Sequence, residues 1–244
     1  MLAKLYHAHH IEYVEDLPFW LELARQQGGP VLELGCVTGR VTLELARAGN
    51  AVYGLDNDAA MLGVLKEAMA TVKKVNVQAV EGDMTNFDLG MKFPLILLPC
   101  NTYSTLDAGQ RQATLGCVRQ HLAPGGLFAA SVPNPALLAS LPEESEAEIE
   151  SVFEHPESGN PVQVSSAWRR EAESVLAIWH YDQLLPDGRV ARETASTLHR
   201  TATVENHMAE FAQANLNWMT PYGDFEKNHF EDEMPYLIIM ASAK

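Results

Sequence analysis

Apolar positions alternate between two rhythms along the first half of the chain. Short apolar runs at residues 31–34, 51–55, 77–80, 93–98 and 127–132 have the length of buried strands. Between them apolar residues recur at helical spacing: Trp20, Leu21 and Leu23 after Asp16 and Pro18, Val41, Leu43, Leu45 and Ala46, then Met61, Leu62, Leu65 and Met69, and finally a helix ending near His121. Gly28-Gly29, Gly49 and Pro124-Gly125-Gly126 punctuate these elements. Alternation of this kind predicts a parallel sheet covered by helices on both faces.

The pattern changes after Pro133. Residues 142–150 are acidic, and segments 149–155, 162–168, 174–183 and 190–199 then read as antiparallel strands, with Pro186-Asp187-Gly188 as a hairpin turn. Thr203 is placed to cap a helix bearing Val204, Met208 and Phe211, and residues 236–240 form a last buried strand. The expected organisation is an N-terminal arm and core over 1–148, an antiparallel β insertion over 149–200, and a helix and strands over 201–244 that complete the core.

Composition narrows the function classes. The 244 residues are 47% hydrophobic, ample for one large core, and carry a formal net charge of -15. That charge opposes a phosphate backbone, and the basic pairs Lys73-Lys74 and Arg169-Arg170 read as solvated surface, so a nucleic-acid partner is not expected. No apolar run approaches the roughly 20 residues of a membrane span, and residues 1–10 lack the pattern of a secretion signal; the expectation is a soluble, cytoplasmic chain. Cys36, Cys100 and Cys117 lie far apart and are expected as reduced thiols. His7, His9 and His10 lack acidic partners at ligand spacing, so no metal is expected and the terminus reads as frayed.

In an open parallel sheet, ligands bind beyond the carboxyl ends of the strands. The first strand ends in Glu33-Leu34-Gly35-Cys36-Val37-Thr38-Gly39-Arg40, the second in Asp56-Asn57-Asp58, the third in Glu81-Gly82-Asp83-Met84 and the fourth in Pro99-Cys100-Asn101-Thr102-Tyr103. Counted from Gly35, the Gly-x-Gly-x-x-Gly fingerprint of nicotinamide-binding sites would need glycine at Val37 and Arg40, and no Gly-Lys-Ser/Thr of a phosphate loop is present.

These four segments resemble the class I S-adenosylmethionine-dependent methyltransferases, over most of the chain from Gly29 onward. The resemblance implies an α/β, Rossmann-like doubly wound sheet of seven strands, the last antiparallel, with an antiparallel β lid. It also implies S-adenosyl-L-methionine as cofactor. Glu33 would lie near the cofactor's amino group, Gly35, Cys36 and Gly39 would line its methionine part, and Asp56, with Asn57 beside it, would bind the ribose hydroxyls. Met61 would cover adenine, Asp83 and Met84 would read its edge, and Pro99, Cys100 and Asn101 would face the point of methyl delivery. Tyr6 resembles the tyrosine that such enzymes close over the cofactor. Val37 departs from the family pattern, which has glycine there, and a β-branched residue tolerates positive φ badly.

By location, Tyr6, Asn101, Tyr103, His180 and Tyr222 are candidates to assist proton removal. Trp168, Trp179, His180 and Tyr181 would line the lid, consistent with a small-molecule methyl acceptor on nitrogen or oxygen, and the lid of such enzymes can also form a homodimer. The alternative is a catalytically silent cofactor-binding or interaction module, motivated by Val37.

Overall fold

A computed structural model describes residues 1–72 and 75–243 of the chain. The pair Lys73-Lys74 lies outside them. Two sheets organise the molecule. Seven strands form the larger, β1 (Val31–Leu34), β2 (Ala51–Asp56), β3 (Asn76–Glu81), β4 (Phe93–Leu98), β5 (Leu122–Pro133), β10 (Leu216–Trp218) and β11 (Tyr236–Ala243), in the order β10-β11-β5-β4-β1-β2-β3. The strands β5, β4, β1, β2 and β3 pair in parallel, and β11 runs antiparallel to both β5 and β10.

Both faces of this sheet are buried, which is why its strands read as apolar runs rather than alternating ones. One face packs Leu32, Leu34, Ile96, Leu98 and Phe128 against helices α5 (Ala108–His121) and α7 (Val204–Gln213). The other sets Val31, Leu95, Leu97 and Ile238 against α2 (Leu17–Gln27) and α3 (Arg40–Arg47). Side-chain caps fix where helices begin. Asp58 accepts the N–H groups of Ala60 and Met61 to start α4 (Ala59–Thr71), and Thr203 and Asn206 form a reciprocal capping box on α7. A Cβ at Gly126 would meet three carbonyl oxygens within 3.1 Å, so β5 can run beside β4 only with glycine there.

The second sheet is antiparallel, β6 (Glu148–Glu154), β7 (Pro161–Glu171), β8 (Ser174–Leu184) and β9 (Val190–Arg200), paired in that order. Directly paired residues share a face, so Trp179 and Ala195, and one step along Tyr181 and Val164, point the same way. These side chains pack on Leu5 of helix α1 (Leu2–His10), and that side of the sheet faces the core.

The N-terminal segment is not frayed. His7 Nδ1 lies 3.0 Å from Thr38 Oγ1 in the core, and His9 lies 3.2 Å from the Tyr181 hydroxyl and 3.1 Å from Glu150 of β6. Lys4 bridges Glu67 of α4 and Glu157. Tertiary contacts thus hold a helix too short to persist alone. Among the described residues no group of His, Cys, Asp and Glu is arranged to hold a metal, and no helix is long and apolar enough to cross a membrane.

Candidate active site

Beyond β1 the chain makes a tight turn with three left-handed residues, Gly35 at φ 64, Val37 at φ 50 and Gly39 at φ 86. Glycine is required at both ends. A Cβ on Gly39 would lie 2.3 Å from Leu65, and one on Gly35 would lie 3.0 Å from Thr102 and 3.4 Å from Met84. Val37 has no such freedom, and a left-handed L-residue costs about 1–2 kcal/mol. Its N–H donates to Asp56 Oδ2 at 2.8 Å, while Asp56 Oδ1 accepts the N–H of Asp58 at 2.9 Å. Asp56 is therefore fixed by two backbone donors, and the helix cap belongs to Asp58.

Glu33 is 2% exposed, with the Thr42 hydroxyl donating to it. Burial raises its pKa to about 8, against the opposing pull of Thr42 and Arg40. The Cys36 side chain turns away among Leu43, Leu62 and Leu65, so only its main chain can face a ligand, and burial pushes its thiol pKa up. Met61 and Met84 are half-buried, Asn57 and Asp83 exposed, and Pro99 buried. One oxygen of Asp83 is occupied by the N–H and hydroxyl of Thr85, both at 2.8 Å.

Beyond β4, Cys100 and Asn101 are consecutive left-handed residues at φ 59 and φ 61, and such strain gathers at functional sites. Arg40 ties this corner to the N-terminal arm. Its guanidinium donates to both oxygens of Asp16 at 2.6 and 2.7 Å, to the Tyr13 carbonyl at 2.7 Å and to Cys100 Sγ at 2.9 Å. The Cys100 thiol has exposed surface yet is closely ringed by protein, which raises its pKa to about 11 despite Arg40. Asn101 Oδ1 is buried without a hydrogen-bond partner.

Tyr6 is half-buried, and burial raises its pKa, with Cys100, Tyr181 and Asp56 adding to that shift and Arg40 opposing it. It therefore stays a phenol at neutral pH, a donor and not a base. His10 packs edge-on against the Tyr6 ring at 4.2 Å, and burial lowers its pKa to about 3.

Three expectations are corrected by the geometry. Tyr103 is wholly buried against Phe211 and His207, its hydroxyl directed at Glu210 at 3.4 Å, because the 3-10 turn Thr102–Thr105 rotates it into the core. It has no surface for a substrate. His180 sits beside Thr194 on the face of β8 opposite Trp179 and Tyr181, and Tyr222 packs with the Phe19 side of the core. Sequence reasoning passed over Arg40, Asp16, Ser104 and His199. A signal existed for Arg40, since a charge inside an apolar helix start demands a buried carboxylate. A cleft of about 1060 Å³ between α5, α7 and the turn at Glu173 includes none of the residues named at the ends of β1 to β4.

The strand order and the antiparallel β11 define the class I methyltransferase fold, and in an open sheet of this kind ligands take the switch point, here between β1 and β4. Comparison with known proteins agrees. Residues 31–126 match the family model of the methyltransferase domain. The cypemycin N-terminal methyltransferase of a Streptomyces species is 31% identical over 112 residues, which are 45% of this chain and 44% of that protein. The match therefore spans less than half the length of that relative.

Solved structures match over nearly the whole chain. An S-adenosylmethionine-dependent methyltransferase from Clostridium acetobutylicum superimposes with a TM-score of 0.82 at 15% identity, covering 98% of this chain and 96% of that one. The sugar N-methyltransferase KedS8 from a Streptoalloteichus species gives 0.78 at 15% identity, covering 100% and 93%. Identities this low establish the fold.

Proposed function

We propose that the chain binds S-adenosyl-L-methionine and transfers its methyl group to a nitrogen or oxygen of a small molecule. The observation that carries this is the convergence of a buried carboxyl, a fixed carboxylate and a glycine turn at one crevice, Glu33, Asp56 and Gly35 to Gly39. The site suits the cofactor on its own chemistry. Glu33 would pair with an ammonium, and Asp56, each oxygen holding one backbone N–H, keeps lone pairs for ribose hydroxyls. Met61 and Met84 offer soft apolar flanks for adenine, with Asn57 and Asp83 at the exposed rim, and Gly35, Gly39 and the Cys36 main chain leave room for the methionine part.

When bound, the cofactor supplies an activated methyl group on a sulfonium. The chain's own work is then positioning. Tyr6 closes one side as a hydrogen-bond donor, Pro99, Cys100 and Asn101 set the opposite wall, and Trp168, Trp179 and Tyr181 roof the acceptor space. The structural neighbour that acts on sugars and the relative named for an N-terminus favour an amine acceptor. The same reading carries a homodimer through the lid, where Ile149 and Val152 of β6 are 64% and 65% exposed; sedimentation tests it.

Calorimetric titration with S-adenosylhomocysteine, followed by mass spectrometry of amino sugars and short peptides incubated with S-adenosylmethionine, tests the function. Binding and a product 14 mass units heavier, the replacement of hydrogen by methyl, are expected. No binding at millimolar ligand defeats the reading, and binding without any product favours the silent module.

A further inference from the structure

The lid reaches the corner beyond β4 through one side chain. His199 belongs to the same face of β9 as Ala195 and Thr197, the face that packs toward the core, and its Nδ1 lies 2.8 Å from Ser104 Oγ in the 3-10 turn. Ser104 Oγ also lies 2.7 Å from the carbonyl oxygen of Asn101. Two oxygens at that distance need a proton between them, and a carbonyl has none to give, so the serine hydroxyl donates to Asn101. With its only proton spent, Ser104 can do no more than accept from His199. Nδ1 therefore carries the hydrogen, and Nε2 is left with a free lone pair.

The surroundings keep the ring in that state. Burial lowers the pKa of His199 below its ordinary value of 6.5, which leaves it neutral near pH 7. Among the described residues the ring makes its hydrogen bond through Nδ1, to Ser104, and the residue is half-buried. The charged group sharing its cross-strand row is Arg170, whose guanidinium is held by the Leu141 carbonyl. On the same face of the sheet Trp168 Nε1 is buried without a partner, and so is Asn101 Oδ1, whose main-chain carbonyl accepts from Ser104.

We infer that His199 is the general base of the acceptor half-site, with Ser104 as the positioning residue that fixes its tautomer. The inference rests on the methyltransferase reading. As the acceptor lone pair bonds to the methyl carbon, the electrons of the carbon–sulfur bond stay on sulfur, giving a neutral thioether. The N–H or O–H proton of the acceptor moves to Nε2, and the imidazolium formed then releases it to water. Charge and atoms balance, one sulfonium cation becoming one imidazolium cation.

Long-range 1H–15N spectra of the native protein read the tautomer without any substrate. A native His199 in the Nδ1–H form at pH 7.5, shifting toward Nε2–H in Ser104→Ala, is expected; an Nε2–H native ring overturns the inference. Turnover of the acceptor giving most product in the amino-sugar and peptide panel supplies the second arm. His199→Asn keeps a donor for Ser104 but no base, and it should lower kcat at least 30-fold and remove an acid limb centred below pH 6.5, with S-adenosylhomocysteine affinity within twofold of native. Native-like kcat in that variant also overturns it. Loss of S-adenosylhomocysteine binding by the native protein, with the Nδ1–H tautomer intact, would instead count against the cofactor assignment.

Discussion

The backbone N–H of Val37 points at Oδ2 of Asp56 across 2.8 Å, and it can do so because Val37 occupies the left-handed region at φ 50. The turn that would suit glycine is thus made by a β-branched residue whose amide anchors the carboxylate of the next strand. Val37→Gly removes a strain of about 1–2 kcal/mol but adds unfolded-state freedom of about 0.5–1 kcal/mol. A gain of up to about 1 kcal/mol in urea unfolding is expected, with nucleoside affinity equal or improved. A loss beyond about 1 kcal/mol would show that the isopropyl group is a packing element.

Asp56→Asn presents an amide N–H to a backbone donor or removes one acceptor from the ribose. Leaving a buried donor unpaired costs about 1–3 kcal/mol. Weaker S-adenosylhomocysteine binding by about that amount is expected in calorimetry, and unchanged affinity would remove Asp56 from the ribose site.

Glu33 should write a signature on stability against pH. Its folded pKa, about 8, lies above the ordinary value of 4.5, so between these the native state holds more protons than the unfolded chain. Stability from this group therefore declines as pH rises from about 4.5 through 8, by at most about 1.4 kcal/mol per unit. The half-buried histidines with lowered pKa act in the opposite sense below pH 6.5. The difference between native protein and Glu33→Gln isolates the carboxyl, and the native urea midpoint should fall relative to that of the variant as pH rises across that range. Binding of an ammonium beside Glu33 should also release a proton, seen as a buffer-dependent enthalpy of S-adenosylhomocysteine binding.

The Asp16–Arg40 pair has side chains only 1% and 9% exposed, and Asp16 also accepts from Trp20 at 2.9 Å. Breaking a buried pair from one side costs about 3–5 kcal/mol, since the remaining charge is stranded. Asp16→Asn should therefore lower the unfolding free energy by about that amount in urea titration.

Tyr103→Phe separates the core role from a chemical one. A hydroxyl 3.4 Å from Glu210 makes a weak bond, so a loss below about 1 kcal/mol and unaltered methyl transfer are expected. A large fall in kcat with normal stability would return Tyr103 to the reaction.

Much of this was legible from local pattern. Apolar runs marked the strands of the larger sheet except the three-residue Leu216–Trp218, the smaller sheet was read from its antiparallel segments and hairpin turn, and Glu33, Asp56 and the glycines sit where strand ends put them. What was hidden depends on contacts distant in sequence or on the turn of a few bonds. Tyr103 follows Asn101 by two residues, yet a 3-10 turn sends it into the core. The N-terminal helix has too little intrinsic stability to be read without Leu5 meeting Val162 and Tyr181. The pairing of Ser104 with His199 spans 95 residues and left no local trace.

The smaller sheet enters and leaves the fold as one uninterrupted stretch after β5, its return pinned by Thr201 N–H to the carbonyl of Glu173. Under the proposed reading, the surface holding the donor comes mainly from the ends of β1 to β4, while the roof over the acceptor comes from β7 to β9. Descendants of such a gene can exchange one chemistry for another by rewriting a single contiguous block, while the nucleoside cradle is inherited untouched.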